Sequence, residues 1–134
     1  RRHDKKGIRD RYQVAAVNKG IVVGTGNKVE DFGVGFYTKY GDGGVDISPI
    51  ADCNKSVVWE IGKSINILQE IIDATPTDGL WDDGRTDEGQ LGLKYGELEE
   101  AMNNVNSINR EKYEKIRKIN LHKMEPIPVC KIPN

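Results

Sequence analysis

The sequence has few cysteines and no excess of charge of either sign. Its two cysteines, Cys53 and Cys130, form no Cys-x-x-Cys pair, so we expect two reduced thiols rather than a disulfide or a zinc site. Twenty Lys and Arg stand against twenty-one Asp and Glu, and the formal net charge is -1. Such a balance creates no field that attracts nucleic acid or an anionic membrane. We therefore expect neither as a partner.

Long apolar runs are also missing. No segment approaches the roughly 20 apolar residues of a membrane span, and residues 1–6 are all charged or histidine, which is not typical of a secretion signal. We expect a cytoplasmic protein. The chain has 134 residues, 37% of them hydrophobic, and a mean hydropathy of -0.61, which favours one domain with a modest core.

The first third of the chain predicts a helix followed by a strand. Apolar positions at helical spacing predict a helix over residues 8–17, which Asn-Lys-Gly at 18–20 would end. The β-branched run 21–23 predicts a buried parallel strand that opens into Gly-Thr-Gly at 24–26. Ligands bind at that end of a strand in open α/β sheets. A dinucleotide fingerprint would need a glycine at Val29, so we exclude a dehydrogenase.

Later segments predict helices separated by one long loop. Asn54 is a suitable N-cap for a helix, and Lys55 in its first turn favours an anionic partner or simple solvation. Inward-facing helical residues are predicted as follows: Val57, Val58, Ile61 and Ile65; Leu68, Ile71 and Ile72 in a helix over 68–74; Leu98 and Met102; Tyr113, Ile116 and Ile119. The acidic residues of the loop 75–92 are expected to be solvated, without a metal. The proline-containing tail 126–133 cannot be helical.

The most informative stretch is 33–46, Gly-Val-Gly-Phe-Tyr-Thr-Lys-Tyr-Gly-Asp-Gly-Gly-Val-Asp. Its glycines allow positive φ angles and the close approach of a ligand to the backbone. Phe36 and Tyr37, with Tyr40, offer flat surfaces for a base or pyridine ring, and Lys39 can meet a phosphate or carboxylate. Gly-Asp-Gly-Gly is equally typical of an ordinary tight turn. Both a turn and a ligand-binding loop remain open.

This stretch and the segments after it resemble the carboxyl-terminal half of NAD synthetase. The similarity runs in order from about Gly20 to Met102 and returns at His122-Lys123. It is carried by the following segments: Phe36 to Asp46, Val45 to Ile50, Asn54-Lys55, Pro76 to Trp81, and Asp87 to Gly92. The family's pyrophosphatase loop, Ser-Gly-Gly-x-Asp-Ser, does not occur in residues 1–134. The resemblance therefore implies the carboxyl-terminal part of a single domain, without its amino-terminal half.

The resemblance also implies a fold and an activity. The fold would be α/β, a Rossmann-like open parallel sheet of the adenine nucleotide alpha-hydrolase type, with this chain as its helix-rich part. The activity would be that of an amide-forming ligase in NAD biosynthesis. ATP and Mg²⁺ would be used to adenylate the nicotinate carboxylate of deamido-NAD, and ammonia would then displace AMP. The family is dimeric, so a homodimer is expected, and this chain alone is expected to be inactive.

Individual residues receive roles by the same resemblance, although no catalytic residue is assigned. The ligand contacts would be these: ATP by Thr25, Lys55 and Thr77; Mg²⁺ by Glu30; deamido-NAD by Lys39, Asp46, His122 and Lys123. Without the resemblance, Glu30 would be a helix-start carboxylate favoured by the dipole. Lys5 stands where the family has an arginine that touches deamido-NAD. As a point charge, Lys5 cannot reproduce a bidentate contact.

Two other hypotheses remain open. The chain could be the synthetase part of a glutamine-dependent NAD synthetase, or a non-catalytic nucleotide-binding or dimerisation fragment. The sequence ahead of residue 1 would separate the three. A Ser-Gly-Gly-x-Asp-Ser motif there favours the ammonia-dependent ligase, and a hydrolase domain with a nucleophilic cysteine favours the glutamine form.

Overall fold

A computed structural model describes the backbone of residues 2–133 and the side chains of residues 7–133. The helices occur in this order: α1 (Arg2–Val17), a π-helix (Lys28–Val34), α2 (Lys55–Ser64), α3 (Gln69–Ile72), α4 (Asp87–Leu91), α5 (Tyr95–Asn103) and α6 (Arg110–Met124). Extended pairing within residues 2–133 is limited to one parallel bridge, between Val23 and Ile47. None of the described helices is long and apolar enough to cross a membrane.

The first helix confirms the sequence pattern. It is predicted over residues 8–17 and observed over Arg2–Val17, so its end is correct and its start lies further upstream. Asn18 continues the bonding by donating its N–H to the Val14 carbonyl oxygen at 3.1 Å. Lys19 then takes a positive φ of 52°, which ends the helix at the predicted stop.

The strand predicted at 21–23 is reduced to the single bridge. The Val22 carbonyl oxygen accepts from the N–H of Asp46 at 2.9 Å, and the Gly24 N–H donates to the Ile47 carbonyl oxygen at 2.7 Å. Val22 is 6% exposed, whereas Ile21 and Val23 are 60% and 52% exposed, so the expected burial holds for Val22 alone. A parallel strand is buried only where neighbouring strands and helices cover both faces, and the described chain supplies one short partner.

The π-helix Lys28–Val34 is set by its two ends. At the start, the side-chain oxygen of the buried Asn27 accepts from the N–H groups of Val29 and Glu30 at 3.0 and 3.1 Å. At the other end, Gly35 adopts φ of 67°, which glycine does without strain. A Cβ on Gly35 would lie 2.5 Å from the Cβ of Asn120. Helix α6 therefore packs directly against this glycine.

Three side chains of α6 satisfy the last carbonyl groups of the π-helix. The bonds are Arg117 Nη1 to the oxygens of Phe32 and Gly33, Asn120 Nδ2 to Val34 at 3.0 Å, and Lys123 Nζ to Gly35 at 2.7 Å. The three donors are spaced three residues apart and share one face of α6. Carbonyl groups at a helix end need such partners, so α6 holds the segment that carries Glu30.

The apolar core lies where the π-helix, α5 and α6 meet. Its buried members are Val29, Val34, Leu91, Leu93, Tyr95, Leu98, Ala101 and Tyr113. Trp59 links α2 to this core, because its ring meets the Tyr95 ring edge-on with 6.2 Å between centroids. The π-helix that carries Glu30 therefore packs against the core through Val29 and Val34.

The apolar faces of α2 and α3 are exposed, contrary to the predicted inward stripes. Helix α2 has no buried residue within its span, and Ile61 is 41% exposed. In the short α3 region, Leu68 and Ile71 are 65% and 63% exposed. Asn54 precedes α2 as predicted but makes no side-chain cap bond. Helix α2 contacts α3 and α5, but these contacts leave most residues of the two stripes exposed.

We expect Leu98→Ala to lower the free energy of unfolding by about 2–5 kcal/mol, because it leaves a cavity in the core. Leu98 is 0% exposed, whereas Ile108 is 95% exposed. As the matched control, Ile108→Ala should change stability by less than about 0.5 kcal/mol. Urea denaturation of both variants measures the difference. Equal losses would contradict the position of the core.

Candidate active site

A cleft of about 290 Å³ brings together residues from distant parts of the chain. Its polar lining includes Thr25, Glu30, Lys55, Thr77, Asp78 and Asp87. All four residues predicted to serve ATP and its metal therefore line one cleft. Hydroxyl groups, an ammonium group and carboxylates facing one space are suited to phosphate and a metal ion.

The Glu30 carboxylate is the centre of this cleft. Its Oε1 accepts from Lys55 Nζ at 2.9 Å and from Tyr95 Oη at 2.6 Å. The Glu30 and Lys55 side chains are each 18% exposed, so the ion pair is largely shielded from water. Lys55 Nζ also lies 4.9 Å from the centre of the Tyr95 ring, a cation–π distance. Lys55 thus has an anionic partner within the chain itself.

The position of Glu30 agrees with a helix-start carboxylate, and its role towards a metal ion stays a prediction. The residue lies in the first turn of the π-helix, where the helix dipole favours a carboxylate. Its side chain nevertheless points into the cleft, where Lys55 and Tyr95 hold it. Next to it, burial, reinforced by Glu30 and Asp42, raises the pKa of Asp31 to about 6. Two neighbouring carboxylates, those of Glu30 and Asp31, therefore lie in the first turn of the π-helix.

Asp87 lies on the other side of the Tyr95 hydroxyl group, with its Oδ2 3.0 Å from Tyr95 Oη. The predicted loop 75–92 contains α4, whose start is capped by Thr86 Oγ1 accepting from the Gly89 N–H at 3.0 Å. Asp87 is consequently 6% exposed, and the expectation that it is solvated is wrong. Asp87 Oδ1 is buried and has no hydrogen-bond partner among the described residues.

The Tyr95 hydroxyl group has one hydrogen, so it cannot donate to both Glu30 and Asp87. The shorter contact favours donation from Tyr95 to Glu30, which leaves Asp87 without a donor from this group. Burial raises the pKa of Tyr95, and the bond to Glu30 adds to the effect, so the hydroxyl group keeps its hydrogen. Burial also raises the pKa of Asp87, while the Tyr95 contact opposes the change.

A second cleft, of about 350 Å³, shares Phe36, Asp42 and Asp78 with the first. Tyr37 and Lys123 also line it. Lys123 Nζ lies 5.7 Å from the centre of the Tyr37 ring, and Tyr37 Oη donates to the Lys123 carbonyl oxygen at 2.6 Å. Burial lowers the pKa of Lys123, an effect that Asp42 opposes. The two clefts therefore form neighbouring compartments with a common wall.

The glycine-rich stretch 33–46 is both a tight turn and a wall of these clefts. The Thr38 N–H donates to Asp42 Oδ1 at 2.8 Å. The N–H groups of Gly41 and Gly43 donate to the Thr38 carbonyl oxygen at 2.8 and 3.1 Å. The turn directs Phe36 and Asp42 towards both clefts. The two interpretations of this stretch are therefore compatible.

Three of the residues predicted to contact deamido-NAD gather at the end of α6. Lys39 Nζ donates to the carbonyl oxygens of His122 and Glu125 at 2.6 and 3.0 Å, and Lys123 is the next residue along. Lys39 thereby satisfies carbonyl groups at the helix end. The His122 side chain is exposed.

The remaining two predicted contacts lie apart from that group. Asp46 Oδ2 accepts from the Val22 N–H at 2.7 Å, and its Oδ1 accepts from the Tyr12 hydroxyl group at 3.4 Å. Asp46 therefore supports the bridge between residues 23 and 47. Lys5 belongs to α1, but its side chain lies outside the described residues.

The donor set of the first cleft fits a divalent cation. Mg²⁺ is usually held by one or two carboxylates, with water and substrate phosphates as its other ligands. The described residues include no group of three His, Cys, Asp or Glu placed to hold an ion. Glu30 and Asp87 meet at one hydroxyl group, and Asp87 Oδ1 has no partner. Two carboxylates would suffice if phosphate supplied further ligands.

Removing one member of the Glu30–Lys55 pair should destabilise the fold. We expect Glu30→Gln and Lys55→Met each to lower the free energy of unfolding by about 2–3 kcal/mol, because the other charge is left shielded and unpaired. The double variant should lose less than the sum. Glu114→Gln, in the more exposed pair with Arg110, should cost less than about 0.5 kcal/mol. Additive losses in denaturation experiments would contradict this coupling.

Known proteins are similar to this chain in sequence. Residues 7–132 match the family model described as NAD synthase. The NH(3)-dependent NAD(+) synthetase of Archaeoglobus fulgidus is 38% identical over 127 residues, which cover 90% of this chain and 50% of that protein. The enzyme of the same name from Thermoplasma acidophilum is 43% identical over 94 residues, which cover 70% of this chain and 38% of that protein.

Two solved structures are similar in fold. The NMN synthetase from Francisella tularensis has a TM-score of 0.88 and 30% identity, over 96% of this chain and 54% of the other. The NH3-dependent NAD synthetase from Campylobacter jejuni has a TM-score of 0.67 and 18% identity, over 96% of this chain and 53% of the other, a likeness of fold alone. This chain spans half or less of the length of its two curated relatives. The family match covers nearly all 134 residues and confirms the resemblance: the chain belongs to the NAD synthase family.

Proposed function

We propose that this chain carries part of the active site for ATP-dependent amidation of deamido-NAD to NAD, with ammonia as the nitrogen donor. The observation that carries the proposal is the single cleft lined by Thr25, Glu30, Lys55 and Thr77. The names of the curated relatives specify NH(3) dependence, which favours ammonia over glutamine as the nitrogen source.

The reaction explains why these residue types are needed. A carboxylate resists attack by ammonia until one of its oxygens becomes part of a good leaving group. In the first step that oxygen attacks the α-phosphorus of ATP and pyrophosphate leaves. In the second step ammonia attacks the carbonyl carbon, AMP departs with the electrons of the C–O bond, and the nitrogen gives up a proton. Both steps depend on positioning and on neutralising phosphate charge.

In the first cleft, Lys55 would exchange its contact with Glu30 for phosphate oxygens when ATP enters. The hydroxyl groups of Thr25 and Thr77 would donate to the nucleotide. Glu30, released from Lys55, would hold Mg²⁺, which neutralises phosphate charge when bound. The 2.9 Å ion pair is thus the resting form of two ligand contacts. This arrangement keeps both groups positioned before ATP binds.

The second cleft would receive deamido-NAD. Phe36 and Tyr37 offer flat surfaces to a base or pyridine ring, and Lys123 offers a cation. Lys39 and Lys123 bond to carbonyl oxygens in this structure, so a substrate anion would use their remaining N–H groups. His122, Asp46 and Lys5 are further contacts proposed by resemblance: His122 lies at the α6 end, Asp46 beside the bridge and Lys5 in α1.

We also propose that residues 1–134 are the carboxyl-terminal part of one domain with an open parallel sheet. The parallel bridge between Val23 and Ile47 supports such a sheet. The exposed apolar faces of α2 and α3 support burial against further protein surface, either the rest of the domain or a second subunit. A homodimer and a cytoplasmic location stay predictions.

A second candidate is the same amidation performed on a mononucleotide. The likeness to the Francisella NMN synthetase favours it, since that structure combines 30% identity with a TM-score of 0.88. The chemistry at the carboxylate would be identical. The candidates differ only in whether the substrate carries an adenylate half.

We expect the 134-residue chain alone to form no NAD from ATP, Mg²⁺, deamido-NAD and ammonium. It contains no Ser-Gly-Gly-x-Asp-Ser loop, whose backbone donors would stabilise the departing pyrophosphate. A chimaera should form NAD. It would join this chain to the part of the Archaeoglobus relative that is not aligned with it. An enzymatic cycling assay measures the product.

The unaltered Archaeoglobus enzyme is the control for this assay. Turnover by the isolated chain at the control rate would contradict a site divided between two halves. A folded chimaera that binds ATP but makes no amide would contradict the proposed reaction. With nicotinate mononucleotide supplied instead of deamido-NAD, faster formation of NMN than of NAD would favour the second candidate.

A further inference from the structure

Asp87 is a buried carboxylate to which the proposed function gives no role. It is 6% exposed and lines the first cleft. Its Oδ1 has no hydrogen-bond partner within the described chain. Apart from the 3.0 Å contact between its Oδ2 and Tyr95 Oη, the side chain has no bonded partner in the described part of the chain, and burying a carboxylate with an unsatisfied oxygen is costly. Something that the side chains do not supply is therefore needed at this oxygen.

The surrounding charges indicate what is missing. The lining includes four carboxylates, those of Glu30, Asp42, Asp78 and Asp87, and one ammonium group, that of Lys55. Lys55 Nζ is bonded to Glu30 at 2.9 Å, and the Tyr95 hydrogen is directed to the same Glu30 oxygen by the 2.6 Å contact. The ammonium group of this lining is therefore bonded to Glu30 and not to Asp87.

The position of Asp87 is fixed by its neighbours on both sides. Its N–H donates to the Pro76 carbonyl oxygen at 3.1 Å, and Thr86 caps the helix it begins. Glu88 Oε1 accepts from the Tyr95 N–H at 2.9 Å, which ties α4 to the start of α5. A carboxylate held in this way is preorganised as a ligand.

We propose that Asp87 is a second ligand, beside Glu30, of the divalent cation in this cleft. Hard oxygen ligands of this kind suit a cation of the Mg²⁺ type, which completes its coordination with water or phosphate. The inference rests on the proposed function, because this cation is the one that would accompany ATP. Under this proposal, the acidic segment before α5 supplies a ligand of the cation. The Tyr95 hydroxyl group positions Glu30, and the backbone bond to Pro76 positions Asp87.

The test uses Mn²⁺ as a paramagnetic probe, added to the 134-residue chain without nucleotide. Electron paramagnetic resonance measures free Mn²⁺. We expect Asp87→Asn to weaken binding by about tenfold or more, in the range seen when groups around a metal are altered. Asp82→Asn is the matched control, since it removes the same charge from an exposed residue of the same segment, and it should leave the affinity unchanged.

Nuclear magnetic resonance of the unaltered chain gives a second result that does not require a variant to fold. Bound Mn²⁺ should broaden the amide signals of Glu30, Asp87 and Tyr95 before any others. Broadening centred on Asp82 and Asp83 would overturn the proposal. So would Asp87→Asn binding Mn²⁺ as well as the unaltered chain, which is the result expected if Asp87 is a neutral acid. Because no nucleotide is present, these outcomes are independent of whether the chimaera makes NAD.

Discussion

The Glu30 carboxylate is the contact on which the geometry of the cleft depends. One of its oxygens joins the π-helix to α2 through Lys55 and to α5 through Tyr95, and Tyr95 extends the connection to α4 at Asp87. Four elements are thereby aligned around one shielded anion. Such a pair is costly to break and adds little over an apolar contact. We attribute its value to positioning, because Lys55 and Glu30 are the residues proposed to contact ATP and its metal.

Local patterns and the family resemblance predicted much of this arrangement. Helical periodicity predicted α1, α5 and α6, because each carries apolar residues at suitable spacing. The resemblance selected Thr25, Glu30, Lys55 and Thr77, which line one cleft. Their roles towards ATP and the metal remain proposals. Spacing alone could not have joined these residues, since they come from separate segments that only the fold brings together.

Other features depend on information that a local pattern does not contain. Periodicity indicates which face of α2 is apolar, but not whether anything covers that face, and Ile61 remains 41% exposed. Its place in an acidic loop favours a solvated Asp87, although Thr86 followed by two acidic residues is a helix-start signal. Its burial depends on Tyr95 and on the fold. Asn27 with Glu30 three positions later is a similar signal for the π-helix.

The dependence of the π-helix on α6 has a consequence for biosynthesis. The carbonyl groups at the end of the π-helix accept from donors that lie 84 to 88 residues later in the chain. On a ribosome, which makes the chain from its amino end, the segment bearing Glu30 emerges long before Arg117, Asn120 and Lys123. Until those side chains arrive, water must solvate these carbonyl groups. Contacts of such long range form slowly, so the cleft reaches its final shape only after α6 has been synthesised.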